Sequence, residues 1–167
     1  MAIITIDEGQ AKEVPVADNL LYPNINSCLS LTAVFPDKKR VGGHAVLFPE
    51  GAGQLDLQGI CNYILARKGN STGLYAIGYT GIWDGFLAGL PADKKLKING
   101  KIVTKVADIA TAMGYPAAGN LNFDVDVCNA PKGSYDVYFD LENGKRVCKV
   151  KDRNTGIECP KFLNKTW

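Results

Sequence analysis

The chain contains 167 residues, of which 46% are hydrophobic and 22% are charged. This length and composition fit a single globular domain with its own core, and they exclude disorder over the whole chain. The 19 Lys and Arg residues outnumber the 17 Asp and Glu residues by two, which leaves a net charge of +2. A charge so close to balance excludes a strongly cationic nucleic-acid binder as the default interpretation.

The N-terminal segment lacks the features of a secretory signal. It begins MAIITIDEGQAKE, with an acidic residue already at position 7 and neither a basic start nor a long apolar stretch. The sequence also has no apolar run of the roughly 18 residues that a membrane-spanning helix requires. We therefore expect no membrane insertion, and a protein that stays in the cytoplasm or leaves it by a route that reads no Sec signal.

The first part of the chain predicts strands followed by a helix. In SCLSLTAVF, small, β-branched and apolar residues alternate, with Cys28 on one face and Leu29 on the other, which is typical of a strand. Further along, Leu57, Ile60 and Ile64 follow the helical spacing. The predicted elements are strands over 2–6, 27–35 and 40–48 and a helix over 55–67.

The second part of the chain predicts further strands, one helix and two hairpins. Asn-Gly pairs at 99–100 and 143–144 favour tight hairpin turns. The glycine-rich stretch 82–90 is ambiguous. The predicted elements are strands over 73–81, 120–128, 135–141 and 147–151, a hairpin over 96–103 and a helix over 104–113, followed by a C-terminal extension over 152–167.

This order of elements indicates a single α+β domain over residues 1–167. Most strands are joined by turns, and only two helices are predicted. The expected architecture is layered and sandwich-like, with a mixed or antiparallel sheet and two helices packed on it.

The cysteines give weaker indications than the strand pattern. There are five, at positions 28, 61, 128, 148 and 159, with no CxxC pair and only one histidine, so we expect no metal site. Cys61 lies in the apolar stripe of the predicted helix and is expected to be buried. In an oxidising compartment Cys148 and Cys159 could form a disulfide.

Two other polar features have ordinary interpretations. Asp124 and Asp126 are predicted to share a strand face as exposed carboxylates. The basic turn of Lys38, Lys39 and Arg40 is typical of a solvated turn, although it could also dock an acidic partner.

Cys28 and His44 are the strongest candidates for chemistry. They lie on two predicted strands joined by a short turn, and a thiol beside an imidazole can act as a nucleophile with its own acid and base. A turn centred on Asp37 and Lys38 would pair His44 with Leu31 and leave the two side chains offset by about three residues, or ~10 Å. A bulge at the two glycines before His44, or a twisted longer loop, would remove that offset, and otherwise a catalytic pair would need a different strand order.

The segment INSCLSLTAVFPDKKRVGGHAVLFP resembles the chemoreceptor glutamine deamidases of the CheD type. Both TKVADIATAMGYPAAGNLNFDVDV and YDVYFDLENGKRVCKV are similar to later parts of that family, so the resemblance runs from about residue 2 to residue 151. It extends more loosely to the fold of cytotoxic necrotizing factor-like and Burkholderia lethal factor-like toxins, which are Cys/His glutamine deamidases.

The resemblance implies a bacterial protein-glutamine deamidase that forms a thioester and needs no cofactor. Cys28 would be the nucleophile and His44 the acid and base. Tyr22 occupies the position of the family's orienting threonine, and either its hydroxyl or the main chain could take over that role. Backbone N–H groups of Ser27 and Cys28 would form the oxyanion site. The partner would be a protein that carries the target glutamine.

Differences from the family pattern leave the biological setting open. PNINS replaces a glycine-rich stretch before the cysteine, and His44 directly follows Gly42 and Gly43. These differences favour a diverged relative, such as an effector or toxin secreted into a target cell. Two alternatives remain: a different Cys/His peptidase or amidase, and a non-enzymatic interaction module on the same fold.

Overall fold

The computed structural model describes residues 1–162 and 165–167. These residues form eleven strands and three α-helices, so the expected α+β class is confirmed. The helices are α1 (Leu57–Ala66), α2 (Thr80–Gly89) and α3 (Ile109–Ala112). The strands are β1 (Ile3–Thr5), β2 (Ala11–Val14), β3 (Asn19–Ile25), β4 (Leu29–Val34), β5 (Arg40–Ala45), β6 (Gly73–Gly78), β7 (Leu96–Ile98), β8 (Lys101–Val103), β9 (Leu121–Asp124), β10 (Tyr135–Glu142) and β11 (Lys145–Asp152).

Two mixed sheets and a layer of helices make up the fold. One sheet has the order β1-β3-β10-β11 and the other β2-β5-β4-β6-β9, while β7 and β8 form the predicted hairpin. Leu29 and Leu31 of β4 pack in one apolar cluster with α1, α2 and α3, whereas Cys28 lies in a second cluster with residues of β3, β10 and β11. The strand alternation of this segment is therefore confirmed, and it places Cys28 between the two sheets.

The helices agree only in part with the sequence pattern. α1 begins after Asp56, whose carboxylate accepts a hydrogen bond from Gly59 N at 2.8 Å, and it buries the expected stripe. The ambiguous glycine-rich stretch forms an additional helix, α2, because burial of Trp83 and Leu87 one turn apart outweighs the low helix propensity of its glycines. The predicted helix over 104–113 is instead a 3-10 turn followed by the short α3.

Some strand predictions were wrong. β2 and β3 were missed. β3 contains Pro23, which disfavours a strand, and the register of β3 with β10 is irregular near this proline. The predicted strand over 120–128 ends at Asp124, whose carboxylate accepts a hydrogen bond from Asp126 N at 3.1 Å and opens a 3-10 turn. Asp124 and Asp126 therefore do not share a strand face.

The disulfide joins a different pair of cysteines from the one considered above. Cys128 and Cys159 are bonded, with a Cα–Cα distance of 5.4 Å, whereas Cys148 is free and buried. Cys148 faces the core between the two sheets, and the C-terminal extension places Cys159 beside the 3-10 turn.

The predicted burial of Cys61 is confirmed. No helix in residues 1–162 and 165–167 is both long and apolar enough to cross a membrane.

Candidate active site

The register of β4 and β5 brings Cys28 and His44 to the same face of the sheet. Ser30 stands opposite His44 and Val34 opposite Arg40, with no bulge between them. The turn is thus centred on Asp37, half a residue earlier than predicted, and continuation of the register would place Cys28 opposite Val46. His44 is therefore the diagonal neighbour of Cys28, and side chains in that relation can touch. The predicted three-residue offset was therefore wrong, because the offset is two residues and needs no bulge at the glycines.

A third side chain completes a compact cluster. Glu8, on the turn between β1 and β2, places a carboxylate oxygen 3.8 Å from Cys28 Sγ. One donor atom from each of Glu8, Cys28 and His44 lies within 4.8 Å of the other two. Sequence reasoning missed Glu8. Its only signal in the sequence was the segment DEG, in which an acidic residue precedes a glycine, and this glycine, Gly9, adopts a left-handed φ of +76° in the turn.

The imidazole is held in one tautomer by the backbone. His44 Nδ1 is 3.0 Å from the carbonyl oxygen of Ile6, and because a carbonyl only accepts, Nδ1 carries the proton. Nε2 is left with its lone pair, and it is buried with no hydrogen-bond partner in the described part of the chain. This arrangement suits a general base, with the Ile6 carbonyl in the orienting position.

The charges of the cluster favour a neutral resting pair. Burial and the nearby Glu8 carboxylate raise the pKa of the Cys28 thiol to about 11. Burial also lowers the pKa of His44, against the opposing effects of the Ile6 hydrogen bond and of Glu8 and Asp7. A thiolate–imidazolium pair is therefore not the resting state, and attack by the sulfur would require transfer of the thiol proton to a neighbouring base.

Tyr22 supports the imidazole through its ring. The two rings meet edge to face with centroids 6.1 Å apart, while the Tyr22 hydroxyl is 2.7 Å from Thr32 Oγ1 and donates to Leu31 O at 3.1 Å. The hydroxyl is thus used within β4 and not on His44. Gly42 is needed beside it, because a Cβ there would overlap the Tyr22 hydroxyl oxygen.

The loop before Cys28 is fixed by two carbonyl contacts. Trp83 Nε1 donates to Ser27 O at 3.0 Å, and Tyr79 N donates to Cys28 O at 3.1 Å. Backbone hydrogen bonds from Ser27 and Asn26 lower the pKa of Cys28, in opposition to burial. The oxyanion site expected at the backbone N–H groups of Ser27 and Cys28 stays a prediction.

An open groove is lined in part by Trp83. It has a volume of about 570 Å³, and its lining includes Val46, two residues after His44, together with Leu47 and Phe86. Phe48 is 76% exposed at this surface, and its ring meets that of Phe86 edge to face at 5.8 Å. Charged residues such as Asp93 and Lys94 also line the groove, and Trp83 connects it to the loop that carries Cys28.

The basic turn does not form an exposed cluster of three charges. Arg40 is fully buried and donates to the carbonyl oxygens of Phe139, Pro15 and Asp18. Lys39 is paired with Glu13 at 2.8 Å. An acidic partner would therefore meet fewer free charges here than the sequence suggests.

The chain has a loose structural likeness to a domain of known structure. The chain is similar to the C-terminal domain of CNFy from Yersinia pseudotuberculosis, with a TM-score of 0.43 and 7% sequence identity. The match covers 99% of this chain and 62% of that one, so the chain spans less than two thirds of its length. No family model matches the chain, and no curated protein matches it.

Proposed function

We propose that the protein is a cysteine hydrolase that converts a glutamine side chain of a target protein to glutamate, with release of ammonia. The observation that carries this proposal is the placement of the Cys28 thiol beside an imidazole whose Nδ1 proton is held by the Ile6 carbonyl. An oriented base next to a thiol is the arrangement that nucleophilic catalysis needs. The resemblance of the Cys28–His44 segment to glutamine deamidases suggests the substrate class.

The first half of the reaction forms a thioester. Cys28 Sγ attacks the carboxamide carbon, the thiol proton moves to His44 Nε2, and the carbonyl oxygen becomes an oxyanion. Backbone N–H groups beside Cys28 stabilise that charge. The tetrahedral intermediate then collapses: the C–N bond breaks, His44 gives its proton to the leaving nitrogen, and ammonia departs.

The second half restores the thiol. His44 Nε2 accepts a proton from a water molecule, whose oxygen attacks the thioester carbon. The C–S bond then breaks, and Cys28 recovers the proton from His44. The net change is one amide and one water converted to one carboxyl group and one ammonia, which adds a negative charge to the target at neutral pH.

Glu8 gives this site a reason to prefer an amide. Its carboxylate can accept a hydrogen bond from the N–H group of a bound carboxamide, because it lies 3.8 Å from the attacking sulfur. The same charge repels the carboxylate of the product. The cluster should therefore bind glutamine better than glutamate and release its product readily.

The test is a search for deamidated proteins in lysates treated with the purified chain. Ammonia release is measured together with peptide-resolved mass spectrometry of glutamine-to-glutamate changes. We expect both signals with the wild type and with Cys61→Ala, a control that removes another buried free cysteine. Both should disappear with Cys28→Ser and with His44→Ala, provided that circular dichroism shows these variants to be folded.

Three results would contradict the proposal. Deamidation that persists in folded Cys28→Ser would show that Cys28 is not the nucleophile. Cleaved peptide bonds in place of deamidated glutamines would assign the peptidase or amidase alternative. Absence of any Cys28-dependent modification across lysates of several kinds would favour the interaction module.

A further inference from the structure

The cluster of Glu8, Cys28 and His44 has the donor set of a metal site as well as that of a hydrolase. A carboxylate oxygen, a thiol sulfur and an imidazole nitrogen lie within 4.8 Å of one another. They come from separate segments, namely the turn after β1, the residue before β4, and β5. Sulfur, nitrogen and oxygen donors together suit Zn²⁺, and three protein ligands leave one position of a tetrahedral ion open.

The imidazole provides an independent indication of a ligand. His44 Nε2 is fully buried and makes no hydrogen bond to any part of the chain that the structure describes. A buried polar atom without a partner costs free energy, and a cation would supply the missing partner. In metal sites the ligating histidine commonly donates its other N–H to a backbone carbonyl, as His44 Nδ1 does to Ile6 O at 3.0 Å.

The distances leave little rearrangement to make. Tetrahedral Zn²⁺ with bonds of about 2.0–2.3 Å separates its ligand atoms by roughly 3.3–3.8 Å. Cys28 Sγ and the Glu8 carboxylate are already 3.8 Å apart. None of the three ligand atoms is more than 4.8 Å from another, so metal binding would shorten these distances by about 1 to 1.5 Å at most. Glu8 is exposed, so its side chain can adjust and the ion can enter from its side.

We propose that Glu8, Cys28 and His44 bind one thiophilic divalent cation such as Zn²⁺, and that the bound ion blocks the nucleophile. On binding, the Cys28 thiol releases its proton to solvent and the thiolate, His44 Nε2 and the Glu8 carboxylate coordinate the metal. The sulfur lone pair and the imidazole lone pair are then both used in metal bonds. Cys28 in this state neither attacks a carbonyl nor reacts with an alkylating agent.

Cobalt(II) is the probe for the site, because its visible spectrum reports both tetrahedral geometry and a thiolate bond. The full chain, freed of metal by a chelator, is titrated with Co²⁺, and Zn²⁺ is then added as a competitor. We expect a 1:1 complex with a thiolate-to-cobalt charge-transfer band that Zn²⁺ removes. Zn²⁺ should also protect Cys28 from iodoacetamide, as read from the Cys28 peptide by mass spectrometry.

Four variants distinguish a site with three ligands from binding of the metal by the Cys28 thiol alone. The band should be lost in Cys28→Ser and retained in Cys61→Ala. Glu8→Gln keeps the shape of the side chain and should weaken Co²⁺ affinity by at least about tenfold, the lower limit of what loss of a supporting partner costs in metal sites. His44→Ala should do the same, with circular dichroism as the check on folding.

Several results would overturn the metal site. These are absence of the band in the wild type, a band that persists in folded Cys28→Ser, or Co²⁺ affinity that is unchanged in Glu8→Gln. None of these results bears on deamidation when the deamidation assay is run with a chelator present. Conversely, metal binding by a chain that deamidates nothing leaves this site intact.

Discussion

Replacement of Glu8 by glutamine should make Cys28 more reactive. Two unit charges 3.8 Å apart interact by about 1 kcal/mol in water and by about 4 kcal/mol at an effective dielectric constant of about 20. Glu8 is exposed, so the lower value applies. Because 1.36 kcal/mol corresponds to one pKa unit, removal of the charge lowers the pKa of Cys28 enough for a roughly fivefold rise in thiolate at neutral pH.

Iodoacetamide alkylation of the Cys28 peptide between pH 6 and 9 measures this effect. The pKa of the Cys28 thiol is raised to about 11 by burial and by Glu8, so the wild-type rate should climb with pH throughout this range. The Glu8→Gln rate should follow a parallel line roughly fivefold higher. Glu142→Gln removes the same charge from the last residue of β10, whose first residue, Tyr135, pairs with Ile25 in the strand before Cys28, and it should leave the rate unchanged. Equal rates in wild type and Glu8→Gln would refute the electrostatic argument.

Three further predictions concern the support of the site. Gly42→Ala should lower the free energy of unfolding by about 1–3 kcal/mol in urea denaturation, because its Cβ overlaps the Tyr22 hydroxyl, whereas Gly85→Ala, with open space around it, should stabilise the protein by about 0.5–1 kcal/mol. Tyr22→Phe should cost about 1 kcal/mol through the lost hydroxyl contacts yet leave Cys28 alkylation unchanged; a large fall in that rate would return the orienting role to the hydroxyl. Cys159→Ser opens a disulfide that spans 31 residues and should cost about 2–4 kcal/mol, seen as a lower Tm; an unchanged Tm would contradict the bond.

Local patterns in the sequence account for the parts of the fold that depend on neighbouring residues. Alternation placed Cys28 and Leu29 on opposite faces of β4, and this was correct because the strand separates two apolar clusters. Helical spacing identified α1, and this was correct because the apolar stripe of that helix is buried. α2 stayed ambiguous, since its glycines argue against a helix and only the burial of Trp83 against distant residues favours one.

The sequence by itself determined the α+β class, and it singled out Cys28 and His44 as the candidate pair. Only the tertiary structure decided the rest of the site. A shift of one residue in the β4–β5 register would have sent His44 to the other face, and that register depends on the turn. Glu8 is twenty residues before Cys28 and meets it only because β1 and β2 enter different sheets on either side of the turn. The pairing of Cys128 with Cys159 likewise follows from where the C-terminal extension packs, because spacing along a chain carries no information about which distant segments meet.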